Sequence, residues 1–394
     1  MNDVIVVGLG PAGASAAYRL ASMGYNVIAL DKEAFPRYKP CGGCVSTKID
    51  AIKDFDFSHL IESTVKGAIF SFKAKKTLDI PSDKPLGYNI RRDVFDDFLV
   101  EKAREAGVKV LEERRVKDFV ATPSSVTVIT DTGEAFKGKF LICADGSAGG
   151  VARQYFGFDS KQSAVSLTAE VPYDASKVED MKGKLYIDFG SVPYGYAWIF
   201  PKEKFLSVGM AGEARRMKGR RLQDCFETFT RTHRVLKDFE VEERTGCTIP
   251  LFYKGMPPVT KGRVLAVGDA GHMVDPFLGE GIYFAIKSAQ VAAEAVDGCL
   301  SKKTNSLAHY NDWVRNDLAR DFIALEKVSK LIYGYPRLWF GLIERNPDIM
   351  HRYYDVIRGE TRAEEFYKWV FAKVKQKPWK VIRGWMGGSV QRQA

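Results

Sequence analysis

No apolar run in this chain reaches the roughly 18 residues a helix needs to cross a bilayer, so no integral membrane span is expected. No basic leader precedes the first strand-like run at Asp3, which predicts a cytoplasmic protein. Cysteine is sparse. The six residues, at 41, 44, 143, 225, 247 and 299, are too scattered for a disulfide scaffold, in keeping with a reducing compartment. A zinc site needs about four ligands, and Cys41 and Cys44 have no second Cys/His pair at suitable spacing, so no metal is expected. Internal repeats and low-complexity runs are also lacking.

What is there is globular. The 394 residues exceed one typical core and predict two or three domains. Hydrophobic residues at 45% and charged residues at 27% exclude wholesale disorder. The net charge of +10 is unevenly spread: from Thr361 to Ala394 eight Lys/Arg stand against Glu364 and Glu365. The stretch "EEFYKWVFAKVKQKPWKVIRGW" interleaves aromatics with those cations. It suits a peripheral position on an anionic membrane, with Trp369, Trp379 and Trp385 at headgroup depth, and equally a helical cap with a solvated basic rim. Nothing else resembles a nucleic-acid module, and no nucleic acid is expected as a partner.

The first thirty residues, "DVIVVGLGPAGASAAYRLASMGYNVIALDKE", read as strand, tight turn, helix, strand and acid. Gly8, Gly10 and Gly13 supply G-x-G-x-x-G: the first permits the turn, the second lets backbone approach a pyrophosphate, and the third allows close helix–strand packing. The helix from Pro11 aims its N-terminal N–H groups at the phosphates, and Asp31 can accept from a ribose diol.

Two distant segments select the dinucleotide. "FLICADGSAGGVAR" runs an apolar strand into Asp145-Gly146, and a buried strand from Gly262 runs into Gly268-Asp269. Nicotinamide enzymes have no need of this second acid loop; a cofactor with a ribityl chain does, and Asp269 can accept from its hydroxyls. The turn Gly279-Glu280-Gly281-Ile282 then points a helix N-terminus at the N1–C2=O edge of an isoalloxazine. FAD is therefore the expected cofactor. In this order the segments resemble the flavoprotein fold of para-hydroxybenzoate hydroxylase and its relatives.

Two further stretches narrow the resemblance. "FPRYKPCGGCVSTK" follows the second strand, and "VPYGYAWIFPKEKFLSVGM" holds Tyr196, Trp198, Phe200, Pro201, Lys202 and Gly209 as Y-x-W-x-F-P-K with a glycine seven residues on. With the nucleotide segments they resemble the geranylgeranyl reductase family, over about residues 1–300. The resemblance implies an FAD-dependent oxidoreductase that saturates C=C bonds of a geranylgeranyl or polyprenyl chain on a lipid, quinone or chlorophyll-type head. An external donor, a ferredoxin-like protein or NAD(P)H, would reduce it; with no second glycine fingerprint evident, the protein donor is favoured. By position it implies FAD contacts at Ala12, Gly13, Asp31, Cys41, Gly42, Cys44, Arg92, Val116, Asp269, Gly281 and Ile282, beside Gly8 and Gly10. A guanidinium near a helix start suits a diphosphate, though Arg91 is an alternative to Arg92. Cys44 departs from the pattern, since relatives often have glycine there. A redox-active Cys41–Cys44 dithiol would make the protein a disulfide reductase but leave the aromatic motif without a use, so Cys41 is expected to line the site and Cys44 to pack.

In strand geometry Tyr194, Tyr196, Trp198 and Phe200 lie two apart and project from one face, which suits a prenyl substrate and also suits plain sheet core. An isolated alkene is not electrophilic, so hydride addition requires a proton at the other carbon. The faces of Tyr196 and Trp198 suit the positive charge that develops, at about 0.5–2 kcal/mol per ring. Cys41 is one candidate proton donor, with a tyrosine or a water as the others; His272 is expected to pack a loop. The expected architecture is α/β: a Rossmann-like FAD-binding domain (1–156 and 260–300) interrupted by an antiparallel-sheet substrate domain (157–259), with a C-terminal helical region (301–394). FAD-dependent monooxygenases and halogenases share the fold and are the rival reading, with a prenyl-lipid carrier that does not turn over as a third.

Overall fold

The computed structural model describes residues 1–376 apart from 148, 174, 218, 238–240 and 242. Its chain divides into two units, each drawn from three stretches: Met1–Lys39, Arg91–Ser163 and Thr248–Arg320 in the first, Pro40–Ile90, Ala164–Cys247 and Asp321–Ala394 in the second.

The first unit is built on a largely parallel sheet. Asn2–Val7 is central, with Val27–Leu30 and Lys109–Leu111 to one side and Ala135–Cys143 and Val264–Ala266 to the other. Val4, Ile5 and Val6 are fully buried, as a parallel strand covered on both faces requires. The helix Pro11–Ser22 packs on the helix Ile282–Leu300. Buried alanines, 14, 16 and 17 on one and 285, 289 and 292 on the other, permit a short interaxial distance. An antiparallel ribbon, Val116–Ala121 with Val126–Thr130, extends from Ala135–Cys143.

The second unit holds a seven-stranded sheet in the order Thr245–Pro250, Ser163–Pro172, Phe205–Glu213, Gly195–Pro201, Leu185–Phe189, Gly67–Phe72, Lys76–Pro81. Strand alternation sends Leu167, Ala169, Tyr186, Ala197, Ile199, Val208 and Met210 to one face. There the helix Leu222–Thr232 covers them with Leu222, Phe226 and Phe229, spaced to share one helical face. The other face carries Tyr196, Trp198 and Phe200. A small sheet, Cys44–Ser46, Gly87–Ile90 and Ile61–Val65, belongs to the same unit.

This division differs from the sequence expectation at two places. Residues 40–90 join the second unit because Gly67–Phe72 pairs in parallel with Leu185–Phe189, a register no local pattern announces. The helices from Asp321 onward also belong there: Tyr354 Oη donates to the Ile80 carbonyl (2.8 Å) and Lys84 pairs with Glu360 (2.8 Å). Trp369, in the helix Ala363–Gln376, is flanked by the Arg352 guanidinium (5.3 Å) and Lys373 Nζ (4.7 Å). Trp379 and Trp385 lie outside the described residues. Among the described residues no helix is long and apolar enough to cross a membrane.

Candidate functional site

Sterics dictate the nucleotide turn. Gly8 has φ +92°, and a Cβ there would lie 2.2 Å from the Ala144 carbonyl oxygen. At Gly13 a Cβ would lie 1.7 Å from the Gly8 carbonyl oxygen. No side chain fits either place. Gly10 differs, because only Arg37 Nη2, at 3.4 Å, would come near its Cβ. The helix from Pro11 has no side-chain cap and no acid in its first turn, which leaves its leading N–H groups and positive end for an anion. Asp31 is buried behind the turn, where its carboxylate accepts from Leu9 N–H (2.6 Å) and Glu33 N–H (2.9 Å). Arg114 N–H donates to the Asp31 carbonyl (2.8 Å), two residues before Val116 opens its strand.

Arg92 opens the helix Arg92–Glu105 and grips buried Asp96 with two bonds, Nε to Oδ1 at 2.9 Å and Nη2 to Oδ2 at 2.8 Å. Arg91 turns to Asp93 in its own turn. The sequence reading did not single out Asp96, nor Arg37, whose Nη1 lies 3.2 Å from the same Oδ2. Their only signal was a basic residue in "FPRYKP" and an acid four residues after Arg92.

The second acid loop meets the first fingerprint. A Cβ on Gly268 (φ +56°) would lie 3.0 Å from the Ala12 Cβ, and Gly268 N–H donates to Ser288 Oγ (3.0 Å). Asp269 Oδ1 lies 3.5 Å from where a Gly281 Cβ would be, so Asp269, Gly281 and Ile282 share one corner at the start of an uncapped 19-residue helix. Buried Asp275 shapes the intervening loop by accepting from Phe277 N–H (2.6 Å). A small polar cavity nearby is lined by Ser147, Arg153, Ser160, Thr248, Asp269 and His272. His272 packs as expected: Nδ1 bonds the Leu251 carbonyl (3.0 Å), Phe158 and Tyr253 flank its ring, and burial pulls its pKa down and keeps it neutral. A glycine cradle, an uncapped helix, the buried Asp31 carboxylate behind it and a second acid near another uncapped helix fit FAD.

In the second unit the aromatic strand and the cysteine loop form one assembly. Ring centroids of Tyr196 and Trp198 are 5.8 Å apart, and those of Trp198 and Phe200 6.2 Å. Tyr194 does not join them. It precedes the strand, adopts φ +47° and places its ring under the Arg216 guanidinium (4.5 Å). Pairing starts only at Gly195, where a Cβ would strike the Ala211 carbonyl oxygen at 1.8 Å. The indole of Trp198 covers Gly209, with Cζ2 2.2 Å from a built Cβ, and the Phe200 ring comes within 2.7 Å of one on Gly42. Trp198 (5% exposed) and Phe200 (8%) are thus largely enclosed, while Tyr196 is half-buried. Trp198 Nε1 has no acceptor among the described residues. Beside this stripe the neighbouring strands present small side chains on the same face: Ser207, Gly209 and Ala211, then Ser166 and Thr168.

Lys202, the last residue of the motif, ties strand to loop. Its buried Nζ donates to the carbonyls of Gly43 (2.5 Å) and Ile90 (3.0 Å), and its own carbonyl accepts from Tyr173 Oη (2.8 Å). Burial pulls the amine down from 10.5 to about 8. Ser207 Oγ donates to the Cys41 carbonyl (3.3 Å), and Gly43 N–H points at Cys41 Sγ (3.3 Å). Cys44 opens a strand paired with Asn89, its Sγ 3.2 Å from a Cβ built on Gly87, so it packs against the neighbouring strand. Among the described residues no cluster could hold a metal ion.

The family model for lycopene cyclase proteins matches residues 3–335. The chain is 32% identical over 304 residues to a geranylgeranyl diphosphate reductase of Rhodobacter capsulatus, with 74% of each chain covered. Among solved structures it is similar to a geranylgeranyl bacteriochlorophyll reductase-like protein of Thermoplasma acidophilum (TM-score 0.76, 22% identity, 96% of this chain and 98% of that one). It is also similar to a flavin-dependent brominase (TM-score 0.74, 21% identity, 95% and 99%). At such identities the structures speak for the fold alone. The chain therefore belongs to the lycopene cyclase protein family and to the geranylgeranyl reductases, FAD-dependent oxidoreductases acting on CH–CH groups.

Proposed function

We propose that this protein saturates C=C bonds of a geranylgeranyl or longer polyprenyl chain carried on a polar head, with an external reductant replenishing the cofactor. One observation carries the reading beyond the family match: the Y-x-W-x-F-P-K strand is locked to the Cys41 loop, by Phe200 on Gly42 and Lys202 on Gly43. A strand of ordinary core would need no such coupling to a thiol loop. FAD, when bound and reduced by the external donor, would supply hydride. Tyr196 and Trp198 offer ring faces to the positive charge that develops on an isolated alkene being protonated. Cys41, fixed through its carbonyl and its Sγ, is the proton donor or holds the water that donates.

The test is anaerobic. Enzyme reduced with dithionite is mixed with geranylgeranyl diphosphate or a geranylgeranylated lipid, flavin absorbance is followed, and the product is weighed. Reoxidation with gain of two hydrogens per bond is expected. If no prenyl compound reoxidises the flavin anaerobically while, in an aerated parallel, oxygen is consumed with a halide and an aromatic substrate, the monooxygenase or halogenase reading replaces this one.

A further inference from the structure

Two guanidiniums converge on one carboxylate at the nucleotide turn. Asp96 is fully buried and Arg92 already satisfies it bidentately, so Arg37, its side chain only 15% exposed, adds a positive charge that Asp96 does not neutralise. No hydrogen bond directs Arg37 Nη1 among the described residues, although Nη1 lies 3.2 Å from Asp96 Oδ2. The guanidinium lies over the Phe35 ring (4.8 Å), and Nη2 is the atom nearest to where a Gly10 Cβ would be (3.4 Å). Gly10 is also the residue before the uncapped N-terminus of Pro11–Ser22. A largely buried cation whose Nη1 has no hydrogen-bond partner among the described residues, sharing its one carboxylate with Arg92 near the positive end of a helix, is unfavourable unless a further anion joins it.

We propose that Arg37 binds the diphosphate of the dinucleotide, with Asp96 as the positioning residue that holds it over Gly10. The inference rests on FAD binding by this chain and adds a ligand to that site. Arg37 is preset: a planar donor fork over Phe35, with Nη1 in ion-pair reach of Asp96, keeps its other nitrogens for phosphate oxygens.

The test compares wild-type holoenzyme with Arg37→Met and Arg37→Lys. FAD release on dilution is followed by recovery of flavin fluorescence, at low and high salt, with ADP or adenosine as competitor. Arg37→Met should hold FAD about 10- to 100-fold more weakly, with a shallower salt dependence. Arg37→Lys should fall between, because it keeps the charge and loses the fork. ADP should displace FAD about equally well from Arg37→Met and wild type, since both ligands lose the same diphosphate contact, and adenosine should displace it about 10- to 100-fold more readily from Arg37→Met. A structural role alone would weaken FAD, ADP and adenosine alike and leave both competitions as in wild type, and that outcome overturns the proposal, as does unchanged FAD release in both variants. If Arg37→Met does not fold, Arg37→Lys decides: several-fold weaker FAD supports the proposal and unchanged FAD refutes it. Wild-type protein that never takes up FAD would instead overturn the cofactor assignment.

Discussion

Lys202 makes the structure testable by pH. Its amine is drawn from 10.5 to about 8 by burial, a gap that at 1.36 kcal/mol per unit is worth about 3 kcal/mol. The sign follows from proton counting. Between about 8 and 10.5 the unfolded chain holds this proton and the folded one releases it, so stability rises with pH across that window. Below about 8 both states are protonated and the penalty is constant. Lys202→Met removes the penalty and also strips donors from the Gly43 and Ile90 carbonyls, at about 1–3 kcal/mol each. These effects oppose, so absolute stability at neutral pH is a poor readout and the slope is the good one. From pH 8 to 9.5 the wild type should gain roughly 2 kcal/mol relative to Lys202→Met. Urea unfolding at saturating FAD measures it, with both proteins at each pH. Parallel pH profiles would refute the assignment of a buried, depressed amine at this position.

Three other outcomes follow from contacts already described. Gly13→Ala should cost about 3 kcal/mol or more and yield colourless protein, since the new methyl meets backbone that cannot yield, whereas Gly10→Ala should keep most stability and weaken FAD; thermal melts and bound-flavin absorbance decide. Cys41→Ser should slow single-turnover flavin reoxidation by prenyl substrate by about 10²–10⁴, and Cys44→Ala should leave it near wild type; equal losses would favour a working dithiol. Flotation with anionic vesicles should show binding at low salt that is lost near ~0.5 M, and no binding at low salt would make the basic C-terminal segment a solvated rim.

The nucleotide site was legible because its determinants are local. Gly8, Gly10, Gly13 and Asp31 act through backbone angles and strand ends within one supersecondary unit, and the Gly268-Asp269 turn announces itself the same way. Tyr194 was misplaced because period-two spacing says nothing about where pairing begins, and a left-handed residue broke the run. Asp96 and Arg37 escaped because their partnership spans distant stretches and neither residue type is unusual where it stands. Lys202 could be seen in the motif, but its carbonyl acceptors, Gly43 in a loop and Ile90 at a strand end, come from stretches that the sequence had assigned to the other domain.

The interleaving of the two units bears on how the chain is made. Neither can close until translation has passed Arg320, and the strand Gly67–Phe72 emerges long before its parallel partner Leu185–Phe189. At about 5–20 residues per second roughly 6–23 seconds pass before that partner emerges. Chaperone supply and cold induction should therefore govern soluble yield in a heterologous host more than any single core contact, and breakpoints for split or truncated versions are best sought elsewhere than between these stretches.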